Sequence, residues 1–188
     1  MAGIIPLLQP APPGDHMHRS LKAALLGIGV IFGLPLAAFL TWDLVAFRPH
    51  LPEIHRILAQ AAPSERDPTA MTQRLIDANL RGHVWSHVGS RLFWRLEQQP
   101  GNNHGTRALW AIAVKLHFNR GERIALFAAL AELDRRARQM YGRSLSALPD
   151  IDVARVLAMS YSPTYYASRP QRLERQAQRI LREARGLP

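Results

Sequence analysis

The side chains of this sequence that could take part in chemistry are mostly cations. The chain has a formal net charge of +10, and Lys22 and Lys115 are the only lysines among its 24 basic residues. The planar guanidinium group of arginine binds phosphate and pyrophosphate through paired hydrogen bonds, so this composition favours an anionic partner. The alternative is that arginine serves here as the default surface cation, without a ligand.

The histidines and the absence of cysteine give no indication of a metal site or a disulfide. The eight His residues show no metal-ligand spacing, and there is no cysteine to supply a thiolate or a disulfide. We therefore predict neither a metal nor a cofactor. His87 could titrate near neutral pH, although a lone histidine on a helical segment is more often a hydrogen-bonded core or surface residue.

An apolar segment near the N-terminus, from Ala23 to Trp42, carries no charge over 20 residues. As a helix it would extend about 30 Å, enough to cross a bilayer. We predict a transmembrane anchor at 23–42 after a cytoplasmic tail at 1–22. We expect the anchor in the inner (cytoplasmic) membrane. By the positive-inside rule, the basic residues before it place the N-terminus in the cytoplasm and the following domain in the periplasmic or extracytoplasmic space. A cleaved signal peptide is the alternative.

Residues 48–188 have the pattern of an all-α domain. Ser64–Pro68 is typical of a helix start, with Pro68 in the first turn behind a capping Asp67. Ser168–Gln171 has the form of a capping box before a last amphipathic helix. Apolar residues recur with helical spacing in between, and no alternating run of β-branched residues indicates a strand.

The most specific motifs lie in the C-terminal part of the chain. Tyr141-Gly142-Arg143 corresponds to a Phe-Gly-Lys element, Asp152–Ala158 to a Glu-x-Ala-x-Leu-Ala helix, and Ser162–Tyr165 to a Ser-Pro-x-Tyr turn before a final helix. In these motifs the chain resembles the peptidoglycan glycosyltransferase (transglycosylase) domain, glycosyltransferase family 51, over about residues 48–187. The resemblance implies a lysozyme-like helical fold and a lipid-linked cell-wall precursor as ligand.

The Gly-Gly-Ser-Thr-Ile-Thr-Gln-Gln-Leu signature of that family is altered here. Residues 82–92 read GHVWSHVGSRL, in which Ser86, a branched residue at Val88 and Leu92 are retained while both glutamines are replaced. The candidate substrate-binding residues that the resemblance implies are Ser86, His87, Arg91, Lys115 and Arg120.

Two glutamates carry the chemistry of the family, one as general base and one that helps the lipid pyrophosphate depart. The first motif should lie just before Asp67, where Glu65 is the remaining candidate; a first-turn acidic residue beside the helix dipole is the alternative interpretation of Glu65. The second should lie near Arg107, yet no carboxylate occurs between Glu97 and Glu122. A general base must reach the proton that it removes, so these absences argue against catalysis.

Three functions follow from the resemblance. We expect a membrane-anchored, non-catalytic protein of cell-wall biogenesis that binds the lipid-linked precursor, a glycan strand or a cell-wall synthesis protein. The second hypothesis is an active glycosyltransferase that uses Glu65 to polymerise the precursor. The third is a helical envelope scaffold without glycan contact. Nucleic acid is not an expected partner, because the domain is expected outside the cytoplasm.

The side chains that line the cleft of the folded domain would distinguish these hypotheses. A carboxylate lining a cleft beside Ser86 and Lys115 would favour the enzyme. A cleft filled by the side chains of Trp85, His87 and Trp94 would favour the scaffold.

Overall fold

A computed structural model describes residues 29–97 and 104–187. Throughout these ranges the chain forms helices joined by short turns, without a strand, so the prediction of an all-α protein is confirmed for the described part. The predicted tail at 1–22 and the first residues of the predicted anchor, 23–28, lie outside the described residues. The chain divides into two compact units, Met1–Leu44 and Val45–Pro188.

The described part of the first unit is helical over 29–42, which we call α1. The helical segment Gly29–Gln60 to which α1 belongs has a mean hydropathy of 1.9 in its most apolar window, and only 11% of that window is buried. By length and composition this helix could cross a membrane. It also continues beyond the predicted anchor end at Trp42, through a π-helical turn at Asp43–Phe47 and a 3-10 turn at Arg48–His50.

The second unit consists of short helices that follow one another closely along the chain. Their bounds are α2 (Leu51–Gln60), α3 (Pro63–Arg66), α4 (Ala70–Leu80), α5 (Val84–Leu96), α6 (His104–His117), α7 (Arg120–Leu130), α8 (Leu133–Tyr141), α9 (Asp150–Tyr161), α10 (Pro163–Ala167) and α11 (Pro170–Ala184).

The core of this unit lies where α5 packs against α6 and α7. Trp110 on α6 is fully buried, and its ring meets that of Phe47 edge-on with 5.0 Å between the ring centroids. Phe93 from α5 and Phe127 from α7 are buried in the same core. Burial of large aromatic and aliphatic side chains is the main term that stabilises such a small helical unit.

A glycine decides how closely α5 and α6 approach. A Cβ atom built on Gly89 would lie 2.5 Å from the Cα of Ala111 and 2.6 Å from its backbone nitrogen. These distances are too short for any side chain at position 89, because the neighbouring atoms belong to the backbone of α6 and cannot move aside as a flexible side chain could. Gly89 is therefore required for the backbone of α5 to rest against the backbone of α6.

A second group of contacts joins α9 to α11. Arg155 on α9 pairs with Asp152 one turn earlier, at 2.5 Å between Nη1 and Oδ1, and with Glu174 on α11, at 2.7 Å between Nη2 and Oε2. Ala177 and Ile180 of α11 are buried. The predicted amphipathic last helix is thus present, with its apolar stripe turned inward.

Two predicted helix starts are wrong in detail. Helix α4 begins at Ala70 rather than Pro68, because the hydroxyl of Thr69 accepts the N–H of Thr72 and caps this helix. Asp67 instead ends the short helix α3. The capping box expected from Ser168 does not form, since α11 starts at Pro170 without a side-chain cap.

We predict that Gly89→Ala lowers the free energy of unfolding by about 1–3 kcal/mol, because the added methyl group overpacks the α5–α6 contact. Thermal unfolding of the full-length protein in detergent, followed by far-ultraviolet circular dichroism, measures this change. The control is Gly121→Ala in α7, where the nearest atom to an added Cβ is the Asn119 Oδ1 at 3.4 Å. That control should be neutral or slightly stabilising. An unchanged midpoint for Gly89→Ala would contradict the close backbone approach.

Candidate functional site

Glu65 is buried and engaged by backbone donors. Glu65 lies on the short helix α3 and is only 6% exposed. Oε1 accepts the N–H of Asp134 at 2.8 Å, and Oε2 accepts the N–H of Ala62 at 3.3 Å. Burial raises the pKa of Glu65, while these two hydrogen bonds act in the opposite direction. Glu65 therefore joins the start of α8 to the start of α3.

Asp134 extends this buried network. Its Oδ1 accepts hydrogen bonds from the Ser64 hydroxyl and the Leu145 N–H, both at 2.8 Å, and its Oδ2 accepts one from the Arg138 Nε at 2.7 Å. Burial alone would raise the pKa of Asp134, but the donors of Leu145, Arg138 and Ser64 outweigh it and hold that pKa below its usual value. The two buried carboxylates thus fasten α3, α8 and the turn at Leu145 together.

Helix α5 has a cleft on each side. Ser86 and Ser90, one turn apart, face the first cleft, whereas His83 and His87, also one turn apart, face the second. Successive residues of an α-helix point about 100° apart, which is why the adjacent residues Ser86 and His87 enter different clefts. Two of the predicted substrate-binding residues are therefore separated by the helix that carries them.

The first cleft, which we call the tryptophan cleft, lies between α5 and α6 and has a volume of about 370 Å³. It is lined by Trp85, Ser86, Ser90, His104, Arg107, Ala108, Ala111 and Ile112.

Two cation–ring contacts occur at the tryptophan cleft, each with one partner, Trp85 or Arg107, among the lining residues. The ammonium group of Lys115 lies 5.4 Å from the centre of the Trp85 ring, and the guanidinium group of Arg107 lies 5.8 Å from that of Trp94. Arg107 also contacts the ring of His104, and its buried Nε has no acceptor within the described residues. No carboxylate is among the lining residues, and the cleft is open rather than filled by indole rings.

The second cleft, which we call the tyrosine cleft, also has a volume of about 370 Å³. Its lining comes from the C-terminal end of α4, the start of α5, and helices α9, α10 and α11: Asn79, Leu80, Arg81, His83, His87, Ala158, Tyr161, Tyr166, Gln176 and Arg179. The rings of His87 and Tyr161 meet edge-on at 5.8 Å between centroids. Burial, together with the charge of Arg91 and of His83, lowers the pKa of His87.

Arg91 and Arg120 lie away from both clefts. The half-buried guanidinium group of Arg91 donates to the carbonyl oxygens of Leu130 at 3.3 Å and Ser160 at 3.2 Å, near the C-terminal ends of α7 and α9. Burial, and the nearby charge of Arg136, lower the pKa of Arg91. Arg120 is exposed and forms an ion pair with Asp77. Arg91 is therefore bound within the fold, and Arg120 belongs to a surface pair.

The structure consequently brings together only part of the predicted site. Ser86 lines the tryptophan cleft and Lys115 lies over its Trp85 wall, while His87, Arg91, Arg120 and Glu65 are each elsewhere. No pattern in the sequence singles out Arg107, Arg81 or Arg179, because each is one arginine among many and only packing places it at a cleft. Within the described ranges, no group of three or more His, Asp or Glu side chains is arranged to hold a metal ion.

Comparison of the chain with models of protein families, with curated proteins and with solved structures finds no match.

We predict that Glu65→Ala lowers the stability of the folded domain, because the N–H groups of Ala62 and Asp134 lose their acceptors. Each buried unsatisfied donor costs about 1–3 kcal/mol. Glu65→Gln keeps one oxygen for the Asp134 N–H and should cost less. The midpoint of urea unfolding measures the effect, with Glu53→Ala as the control, since Glu53 forms only a surface pair with Arg56. If all three variants unfolded alike, the structural role of Glu65 would be refuted.

Acid should weaken the Asp134 network. The folded state holds the pKa of Asp134 below its usual value, so this carboxylate contributes stability above about pH 4 that is lost as the pH falls through the folded-state pKa. Burial has the opposite effect on Glu65, whose raised pKa favours the protonated form in the folded state.

We therefore predict that the stability difference between the parent protein and Asp134→Asn, large at neutral pH, narrows as the medium is acidified below about pH 4. Thermal unfolding across a pH series measures it. A constant difference at every pH would show that the charge of Asp134 contributes nothing.

Proposed function

We propose that this chain is a membrane-anchored, non-catalytic binding protein of cell-wall biogenesis, similar in its lysozyme-like helical domain to the peptidoglycan glycosyltransferases. Its tryptophan cleft would bind the lipid-linked precursor or a nascent glycan strand. The observation that carries the non-catalytic part of the proposal is that both carboxylate oxygens of Glu65 accept hydrogen bonds from backbone N–H groups.

The position of Glu65 argues against an enzyme. A general base needs an oxygen within hydrogen-bond reach of the substrate hydroxyl. Glu65 instead accepts from Ala62 and Asp134, and it is absent from the lining of both clefts beside α5. A carboxylate beside Ser86 and Lys115 was the feature that would have favoured catalysis, and the tryptophan cleft has none among its lining residues.

The lining of the tryptophan cleft supports binding. An indole ring such as that of Trp85 offers a flat apolar surface on which the apolar face of a sugar can lie. The cations Lys115 and Arg107 stand at the two indole rings of Trp85 and Trp94, where they could bind the pyrophosphate of a lipid-linked sugar.

The membrane placement is part of the same proposal. The apolar segment predicted as the anchor, 23–42, would hold the chain in the inner membrane, with the N-terminus in the cytoplasm and the helical domain outside. A lipid-linked ligand diffuses in that membrane, so an anchored binding domain would meet it at high local concentration. The proposed protein partner of this chain is a cell-wall synthesis protein.

We predict that the full-length protein in detergent binds lipid-linked disaccharide precursor, and that Trp85→Ala or Lys115→Ala weakens the affinity about tenfold. Trp85→Phe, which keeps an aromatic ring, should lose less. The control is Arg95→Ala, an exposed cation of α5 outside the cleft lining. Absence of binding by the folded parent protein would favour the scaffold hypothesis.

Glycan polymerisation tests the enzyme hypothesis directly. We expect no polymer from the purified full-length protein supplied with lipid-linked precursor. Polymer formed by the parent protein and lost in Glu65→Gln would overturn the non-catalytic proposal. The unfolding midpoint of Glu65→Gln must be measured alongside, because this residue also stabilises the fold.

A further inference from the structure

We propose that the tyrosine cleft is a second ligand site, separate from the tryptophan cleft, and that it binds a small organic phosphate. This site does not depend on the proposed function, because it is formed by other helices and lies on the other side of α5.

The formal charges that line the tyrosine cleft are all positive. Arg81 and Arg179 contribute guanidinium groups, and His83 and His87 contribute imidazoles. Among the residues that the structure describes, neither an aspartate nor a glutamate lines this cleft. Guanidinium groups bind phosphate oxygens in a paired geometry, and a concave basic surface concentrates anions. The chemistry of this lining therefore selects an anionic ligand.

The two arginines have different roles. Arg179 is oriented from α11, since its Nη1 pairs with Glu183 at 2.7 Å and its Nε donates to Gln176 at 3.3 Å. Arg81 has neither an ion pair nor a hydrogen bond from its side chain within the described ranges, and it is exposed. One cation is thus held in place by its neighbours, and the other is available to a ligand.

The backbone at Arg81 supports a role for its side chain. Arg81 ends α4 in the left-handed conformation, with φ of 50°, and Gly82 follows with φ of 74°. Glycine is the residue that takes this conformation at the end of a helix without strain. An arginine at this position costs free energy and places a guanidinium group at the rim of the cleft.

An unpaired donor lies in the same wall. Asn79 is one of the lining residues, and its buried side-chain Nδ2 has no acceptor within the described part of the chain. A buried donor without an acceptor carries a free-energy penalty, and rotation of the Asn79 amide toward the cleft would let a phosphate oxygen remove that penalty. The Tyr166 hydroxyl and the Gln176 amide add further hydrogen-bonding groups to the lining.

The size of the cleft indicates more than a bare phosphate. Its volume of about 370 Å³ lies in the range of small-molecule sites. Leu80, Ala158 and the ring of Tyr161 provide apolar surface beside the cationic groups. A phosphate monoester with an organic part of the size of a sugar fits this combination.

A phosphate monoester could come from a soluble metabolite or from a lipid headgroup. Calorimetric titration tests the first source, with full-length protein in phosphatidylcholine nanodiscs and glucose 1-phosphate as the probe. Glucose alone serves as the phosphate-free comparison. Nanodiscs that contain phosphatidic acid test the second source, because a headgroup occupying the site would compete with the soluble probe.

We expect glucose 1-phosphate to bind, glucose not to bind, and Arg81→Ala to weaken the affinity for glucose 1-phosphate about tenfold or more. Arg179→Ala should have a similar effect. The matched controls are Arg74→Ala on α4 and Arg182→Ala on α11, exposed arginines outside the lining that remove the same charge from the same two helices. These controls should change the affinity less than about twofold.

Arg81→Ala is expected to fold, because Arg81 makes no side-chain contact that the fold needs, and its unfolding midpoint checks this. If the control variants weakened binding as much as Arg81→Ala did, the binding would reflect only overall charge and the proposal would fail. It would fail equally if neither glucose 1-phosphate nor the phosphatidic acid headgroup bound.

Trp85→Ala separates this proposal from the proposed function. It should leave the affinity for glucose 1-phosphate unchanged while weakening the affinity for the lipid-linked precursor. If Trp85→Ala abolished binding of glucose 1-phosphate and Arg81→Ala did not, the phosphate would belong to the tryptophan cleft and the second site would be refuted.

Discussion

The close contact between α5 and α6 at Gly89 is the constraint on which both clefts depend. The backbone of α6 stands where a side chain at position 89 would have to go, with the Ala111 Cα 2.5 Å from the Cβ of a substituted residue. This contact sets the rotation of α5 about its own axis. With that rotation, Ser86 and Ser90 face α6, and His83 and His87 face the other side. A small shift of α5 would change the lining of both clefts at once.

The two buried carboxylates illustrate how a residue suited to catalysis can be used for structure. Glu65 and Asp134 together accept hydrogen bonds from backbone N–H groups, a hydroxyl and a guanidinium group. Such a network connects segments distant in sequence, since Glu65 and Asp134 are 69 residues apart along the chain. A buried carboxylate is stable only when its oxygens accept hydrogen bonds. Here the donors belong to the fold itself, so the carboxylate oxygens are not available to a substrate.

Besides the arginines on the exposed surface, the domain has arginines bound within the fold and others at the clefts. Arg91 holds carbonyl oxygens near the ends of α7 and α9, and Arg155 joins α9 to α11 through Asp152 and Glu174. Arg81 and Arg107 instead lie at clefts that contain no lining carboxylate. A few of the many cations of the sequence therefore lie where an anionic ligand could contact them.

The sequence by itself determined the helical class and the apolar segment near the N-terminus, because both depend on local periodicity and composition. It did not determine the start of α4 at Ala70, which depends on the single capping contact of Thr69, the start of α11 at Pro170, or the assembly of the site. Glu65, His87 and Arg91 looked alike as candidates, yet only the tertiary structure decided that the first and third are held within the fold and the second faces a cleft. Burial and hydrogen-bond partners come from segments distant in the chain, and a pattern of neighbouring residues contains no information about them.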